Sequence, residues 1–153
     1  DLTDRWALLR HIDLEKPMGR TGFPEGKGGD GMLPVGAILI VPSKPDFYQQ
    51  IELGLTVNHR LRQRDNAGLI IWDAPSIGQK ALALCDKDFY LYGKSIRLAE
   101  CDGLQRGTAI LLGTPEGVAF QMPNIWMPWA YLRKGDEVMA FGTHLGTLKT
   151  RVE

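Results

Sequence analysis

The segment Thr108-Ala-Ile-Leu-Leu-Gly-Thr-Pro-Glu-Gly-Val-Ala-Phe120 joins an apolar run, residues 109–112, to a cluster of turn residues. A short apolar run that stops at glycine and proline is typical of a buried strand that opens into a tight turn. Pro115 fixes its own φ and favours extended geometry at Thr114, whereas Gly113 permits a positive φ. The pattern predicts a core strand that presents the Thr114 hydroxyl and nearby N–H groups to a carboxylate. An ordinary hairpin turn is the alternative, and these residues alone favour it.

The composition suits one domain, residues 1–153, that is long enough to bury a sizeable core. The 18 basic and 18 acidic residues cancel, so no overall field attracts nucleic acid or an anionic membrane. No apolar run reaches the ~20 residues of a membrane span, and no signal-peptide pattern opens the sequence. Cys85 and Cys101 predict two reduced thiols in a cytosolic protein, with a single disulfide as the alternative. Because the chain begins at Asp1 without methionine, we expect it to be a piece of something longer.

Hydrophobic periodicity predicts a mostly β domain with two short helices. Helices are predicted at 3–16, with Thr3 as the cap, and at 75–84, with Ser76 as the cap. Besides the run at 109–112, strands are predicted at 35–41, 51–57, 60–63, 89–92, 95–98, 138–141 and 146–152. The dipeptide at 58–59 is predicted to turn the chain between two of these strands.

Three groups of residues have both a functional and a structural interpretation. His11, Asp13 and Glu15 suggest a metal site. Carboxylate sites for hard cations usually gather ligands from several segments, so we favour the alternative that these residues lie on the solvent-facing side of the first predicted helix. Alternate arginines at 60–64 suggest phosphate binding, but the neutral chain favours a solvated hairpin arm. Aromatic residues at 126–129 favour packing over the stacking of a ligand.

The residues that remain for chemistry are an amine, a hydroxyl and carboxylates: Lys27, Thr114, Asp1, Asp4 and Asp30. Lys27 lies in the glycine-rich stretch 19–31, which we expect to be too flexible and polar for regular structure. Together these groups suit a hard cation that holds an anionic oxo acid. No zinc-type spacing, phosphate-loop lysine motif or nucleotide-binding glycine fingerprint is present in the sequence.

Three segments resemble motifs of a known family. They are Asp1-Leu-Thr-Asp-Arg5, then Glu25-Gly-Lys-Gly-Gly-Asp-Gly31 with Pro34-Val-Gly36, and Gly113-Thr-Pro-Glu-Gly-Val118 with 132–138 and 145–148. The first two are similar to the Asn-Asp-Val-Ser-Ala-Arg segment and the Gly-Lys-Ser-Phe-Asp loop of the fumarylacetoacetate hydrolase family. The third is the most specific, and 57–63 and 71–72 add weaker support. The chain therefore resembles the C-terminal catalytic domain of that family over nearly its whole length.

The resemblance implies a mostly β (α+β) fold, a mixed β-roll with a few short helices, in a cytoplasmic homodimer. It implies Mg²⁺ or Mn²⁺ held by three carboxylates, of which Asp1 is one. The other two form a Glu-x-Glu pair that this chain does not contain, and we expect that pair upstream. The catalytic residues implied are Lys27, which offsets developing negative charge, and Thr114, which holds the substrate carboxylate. The substrate-binding residues implied are Arg5, Asp30, Gly113 and Thr114.

The expected function is metal-dependent chemistry on small 2-oxo or 1,3-dicarbonyl acids, foremost C–C bond hydrolysis of an acylpyruvate-type substrate in the catabolism of aromatic compounds. Hydration, isomerisation or tautomerisation, and decarboxylation of related acids are the alternatives. Gly28-Gly29 stands where the family has Ser-Phe, which leaves the identity of the substrate open. A non-catalytic dimerising or small-acid-binding module is the alternative of another class, motivated by the missing carboxylate pair. No nucleic-acid or membrane partner is expected.

Overall fold

The computed structural model describes residues 2–11, 21–116, 119 and 122–153. The architecture is mixed α+β, with strands in antiparallel sheets and a few short helices, as predicted, and no barrel closes among the described residues. The helices are α1 (Arg5–Arg10), α2 (Gly22–Lys27) and α3 (Ala74–Leu82). The strands are β1 (Glu52–Val57), β2 (Arg60–Asn66), β3 (Phe89–Leu91), β4 (Lys94–Ile96), β5 (Glu137–Gly142) and β6 (Gly146–Arg151). No helix in this part of the chain is long and apolar enough to cross a membrane.

The chain forms two compact units. The helical unit comprises Asp1–Pro34 and Trp72–Leu112, and it contains α1 to α3 and the β3–β4 hairpin. The sheet unit comprises Val35–Ile71 and Gly113–Glu153, and it contains an antiparallel sheet of order β2-β1-β5-β6. The assignment of residues 1–153 to a single domain stays a prediction.

The sheet unit is built on the hairpin that the sequence predicts at 58–59. Asn58 and His59 both adopt left-handed backbone conformations, with φ of 49° and 64°, which suit the twist of a two-residue turn. Asn58 is anchored by its side chain, which donates to Asp136 Oδ1 at 2.8 Å and accepts from the N–H of Glu137 at 2.9 Å. The Asn58 side chain therefore anchors the first residue of the turn to the start of β5.

The core of the sheet lies between β1 and β5. Val57 and Val138 are paired in register and are both buried, with exposures of 8% and 4%. Gly54 lies opposite Phe141, whose ring occupies the space that a Cβ would fill, so only glycine fits there. The predicted strands at 51–57, 60–63, 138–141 and 146–152 are confirmed as β1, β2, β5 and β6.

The helical unit is held by close packing of α1 on α2. Leu8 is 1% exposed, and a Cβ added to Gly26 would lie 3.1 Å from its Cβ. Asp4 caps α1 by accepting from the N–H groups of Trp6 and Ala7 at 2.9 and 3.0 Å. The predicted Thr3 cap is therefore wrong, because the carboxylate one residue later reaches both free N–H groups. Most of the predicted helix 3–16 beyond Arg10 lies outside the described residues.

Three further helix predictions need correction. The stretch 19–31, expected to be irregular, contains α2, since residues 22–27 bury Gly22 and Gly26 in the unit. The predicted helix at 75–84 is α3, but its cap is Asp73, which accepts from the N–H of Ser76 at 2.9 Å. The described residues therefore contain three α-helices rather than two.

Two predicted strands are wrong. The runs at 109–112 and 35–41 are not strands, and their side chains are largely exposed: Leu111 is 51% and Leu39 88% exposed. Apolar composition favours a strand only where another strand supplies hydrogen bonds, and neither run is paired in a sheet of the described residues. The short strands predicted at 89–92 and 95–98 are confirmed as the β3–β4 hairpin.

Cys85 and Cys101 form a disulfide, which corrects the prediction of two free thiols. The β3–β4 hairpin lies between them and returns the chain, so the two Cα atoms come within 5.0 Å despite a separation of 16 residues. The aromatic residues at 126–129 also differ from the prediction of packing. Trp126 and Trp129 are 77% and 63% exposed.

Candidate active site

Lys27 lies at the last residue of α2, beside the first segment of the chain. Its Nζ donates to Thr3 Oγ1 at 2.9 Å and lies 6.0 Å from the centre of the Phe23 ring. Two backbone hydrogen bonds hold the segments together, from Leu2 N to Met32 O and from Asp4 N to Gly26 O, both at 2.8 Å. Residues 2–4 and the glycine loop therefore lie side by side in the helical unit.

The electrostatic setting of Lys27 is unusual for a lysine. Its pKa lies below the ordinary value of 10.5, chiefly because burial removes water from the ammonium and also because the Arg5 guanidinium lies nearby. Two like charges so arranged repel each other. Within the helical unit, the structure thus places the Lys27 ammonium near the Arg5 guanidinium.

The glycine that directly follows Lys27 is explained by steric fit. A Cβ on Gly28 would lie 2.6 Å from the Pro24 carbonyl oxygen and 2.7 Å from Leu91 Cδ1 on β3. Since Gly28 also donates its N–H to that carbonyl at 2.7 Å, any larger residue would displace the end of α2. Asp30, predicted to bind substrate, is exposed on the same loop.

Thr114 belongs to the sheet unit, where it is exposed in a segment without regular structure. Gly113 has a φ of 113°, a positive value of the kind that glycine permits. Gln63 on β2 reaches this segment: its Nε2 donates to the carbonyl oxygens of Pro115 and Glu116 at 2.7 and 3.3 Å. The Gln63 carboxamide therefore anchors this segment to β2.

The sequence reasoning did not assign a role to Gln63. In the structure, Gln63 lies midway along β2 and is half-buried, so its amide hydrogens need partners. The partner lies 52 residues away in the sequence, so the sequence by itself did not reveal it.

The predicted metal ligand Asp1 lies outside the described residues, as do Asp13 and Glu15. Among the described residues, no three His, Cys, Asp or Glu side chains gather in a way that could hold a metal ion. His11 instead meets Glu25 at 2.9 Å, which links the end of α1 to α2. The described residues thus do not by themselves make a cation site, and the roles predicted for Asp1, Arg5, Lys27, Asp30, Gly113 and Thr114 stay predictions.

Comparison with known proteins identifies the family. No curated protein matches the chain. A family model described as Fumarylacetoacetate (FAA) hydrolase C-terminal matches residues 1–153. That family consists of metal-dependent hydrolases, isomerases and decarboxylases of oxo acids, generally enzymes, and its members commonly bind divalent metals. Because the match spans the whole chain, the protein belongs to the fumarylacetoacetate hydrolase family through its C-terminal domain.

Proposed function

We propose that the protein is an enzyme that hydrolyses a C–C bond in a small oxo acid of the acylpyruvate type. The observation that carries this proposal is the placement of Lys27, a partly buried amine beside Arg5, in a chain of the fumarylacetoacetate hydrolase family. Cleavage next to a ketone leaves negative charge on an enolate oxygen. A cation fixed beside that oxygen stabilises the transition state more than the substrate.

Each side chain has a role that its chemistry supports. Lys27 offsets the developing negative charge, and its contact with Thr3 fixes the direction of the ammonium group. Arg5 adds a second positive charge that orients an acidic substrate, with Asp30 as a further predicted contact. Gly113 and Thr114 supply a turn and a hydroxyl that suit a substrate carboxylate, and Gln63 holds that turn.

We include Mg²⁺ or Mn²⁺ in the proposal because members of the family commonly bind divalent metals. When bound, a hard cation of this kind polarises oxygen ligands. Asp1 is its predicted ligand. Among the described residues, no three His, Cys, Asp or Glu side chains gather to hold the ion, so the metal stays part of the proposal.

Hydration, isomerisation or tautomerisation, and decarboxylation of a related oxo acid are the alternatives that use the same residues. A non-catalytic dimerising or acid-binding module is the alternative of another class, because the sequence lacks the Glu-x-Glu pair of the family. We further propose a cytoplasmic homodimer that acts in the catabolism of aromatic compounds, without nucleic-acid or membrane partners. Light scattering after gel filtration measures the dimer directly.

The test of the enzymatic proposal uses protein expressed from its complete gene. The protein is assayed with Mg²⁺ and with Mn²⁺ on a series of acylpyruvates, on fumarylpyruvate and on oxaloacetate. We expect divalent-dependent release of pyruvate and a carboxylic acid from at least one acylpyruvate. Turnover of oxaloacetate alone would favour the decarboxylase. Binding of an oxo acid without turnover of any substrate would favour the non-catalytic module.

A further inference from the structure

The three arginines of β2 differ in their partners. Arg64 pairs with Glu52 at 3.1 Å, and Arg62 donates to the Trp129 carbonyl oxygen at 2.9 Å. Arg60 has no carboxylate partner among the described residues, and its side chain is exposed. All three arginines are exposed on this strand, but their charges are partnered unevenly. Arg60 retains the most available positive charge.

A β-bulge places Arg62 in an unusual position. Leu55 of β1 pairs with Gln63 and Thr56 pairs with Leu61, so Arg62 is an extra residue in β2. In a regular strand, successive side chains point to opposite faces of the sheet, so three consecutive side chains cannot all line the same depression. A bulge breaks that alternation and redirects a side chain.

The result is a depression in the sheet unit with a volume of about 410 Å³. It is lined by Arg60, Leu61, Arg62 and Trp129. Trp129, at 63% exposed, offers a large aromatic surface to solvent. Since Arg62 binds the backbone of Trp129, it fixes the aromatic residue next to the strand that carries Arg60.

Asp136, an acidic group close enough to sense Arg62, leaves this charge in place. Asp136 is close enough to Arg62 for the guanidinium to contribute to its lowered pKa, but hydrogen bonds from Asn58 and from the Arg133 N–H are the larger causes. Those two donors occupy the carboxylate oxygens at 2.8 Å each. Asp136 therefore offsets part of the Arg62 charge and is not an ion-pair partner of Arg60.

We propose that this depression binds a small aromatic anion, a planar ring that carries a carboxylate or a phosphate. The ring lies against the Trp129 indole and Leu61, and the anionic group meets Arg60, with Arg62 as the second cation. Guanidinium groups form directional, charge-assisted hydrogen bonds with both kinds of anion. An indole favours a planar ring by stacking. None of these four residues is part of the proposed active site.

Isothermal titration calorimetry at low salt tests the proposal on the same protein as the activity assays. The probes are benzoate, phenyl phosphate, inorganic phosphate and benzyl alcohol. We expect one of the two aromatic anions to bind at least about tenfold more tightly than inorganic phosphate or the neutral alcohol, because only it engages both ring and charge. Benzoate and phenyl phosphate separate the carboxylate from the phosphate. Equal affinity for all four probes, or no binding at millimolar concentration, would overturn the proposal.

Variants locate the binding. Arg60→Gln and Trp129→Ala should each weaken the preferred probe about tenfold or more. Arg64→Gln is the matched control, since it removes the same charge from the same strand at a residue already paired with Glu52. It should leave the affinity within about twofold. If Trp129→Ala does not fold, as judged by circular dichroism, the proposal is tested by comparing the probe affinities of Arg60→Gln and Arg64→Gln. An equal loss in these two would overturn the assignment.

Discussion

Gln63 and Pro115 are joined by a hydrogen bond of 2.7 Å from the side-chain Nε2 to the carbonyl oxygen, across 52 residues of sequence. The bond ties the turn after Thr114 to a strand of the sheet, and a second one at 3.3 Å to Glu116 reinforces it. A carboxamide can donate twice here, whereas a carboxylate would face two carbonyl oxygens with no hydrogen to offer.

Gln63→Glu should therefore disturb the Thr114 turn. We expect KM for the oxo acid to rise about tenfold or more, with a smaller change in kcat. Loss of the two donated hydrogen bonds and repulsion by the new charge should both displace Gly113 and Thr114, which are proposed to bind the substrate carboxylate. Gln79→Glu is the matched control, since Gln79 is exposed on α3 in the helical unit. Equal KM values for the two variants would show that Gln63 does not position the turn.

Lys27→Met should lower kcat by about 10²- to 10³-fold, the usual effect of removing one preorganised electrostatic group from an active site. The long apolar side chain keeps most of the packing against Phe23, so the melting temperature should change little. Lys44→Met, at an exposed lysine of the sheet unit, controls for the loss of charge. Turnover of Lys27→Met near that of the wild type would remove the lysine from the mechanism.

Gly28→Ala should destabilise the protein by about 1–3 kcal/mol, because the new Cβ would overlap the Pro24 carbonyl oxygen and Leu91. Urea denaturation measures the change in the free energy of unfolding. Gly36→Ala is the control, since a Cβ there meets nothing within 4 Å and the backbone is not left-handed. A Gly28→Ala variant as stable as Gly36→Ala would contradict the close packing of the loop against β3.

The pKa of Asp136 is held below its ordinary value of 3.8, first by the hydrogen bond from Asn58 and then by the N–H of Arg133. A depressed carboxyl pKa stabilises the folded state above the unfolded value, and that contribution is lost as the pH falls through the folded value. Asp136→Asn should therefore lower the melting temperature relative to the wild type at about pH 7. The difference should shrink at about pH 3 and below. A difference that is constant or larger in acid would contradict this role.

The Cys85–Cys101 disulfide closes a loop that contains the β3–β4 hairpin, which packs on α2. Reduction should destabilise the protein by about 2–4 kcal/mol, a typical value for a loop of this length. Thermal denaturation with and without dithiothreitol measures it, with Cys85→Ala/Cys101→Ala as the control that should not respond. Alkylation of the protein in intact cells, followed by mass spectrometry, tests the cytoplasmic proposal, because a cytoplasmic location predicts reduced thiols there.

Several predicted elements depend only on neighbouring residues, and these were confirmed. The Asn58-His59 turn and the alternating pattern of β1 define the hairpin, because left-handed turn residues and a two-residue period act over a few positions. The helix at 75–84 was found with nearly the predicted bounds, although its cap moved to Asp73. The family followed from short motifs in their order, and the match over residues 1–153 confirms it.

The candidate site was predictable only in part. Gly113 has the positive φ that its motif permits, whereas the partial burial of Lys27 beside Arg5 was not predicted. The residues that hold these segments in place were not predictable, because they lie far away in the sequence: Thr3, Leu91 and Gln63. Such contacts depend on which segments the fold brings together.

By itself, the sequence determined the hairpin at 58–59, the helix at 75–84, the family and the residue types available for oxo-acid chemistry. Only the tertiary structure decided that the apolar runs at 35–41 and 109–112 are not strands, and that Cys85 pairs with Cys101. Only the tertiary structure showed that a bulge turns Arg62 towards Trp129. The reason is that turns and periodicity arise from interactions a few residues apart. Strand pairing, disulfides and side-chain partners depend on segments that the chain must first bring together in space.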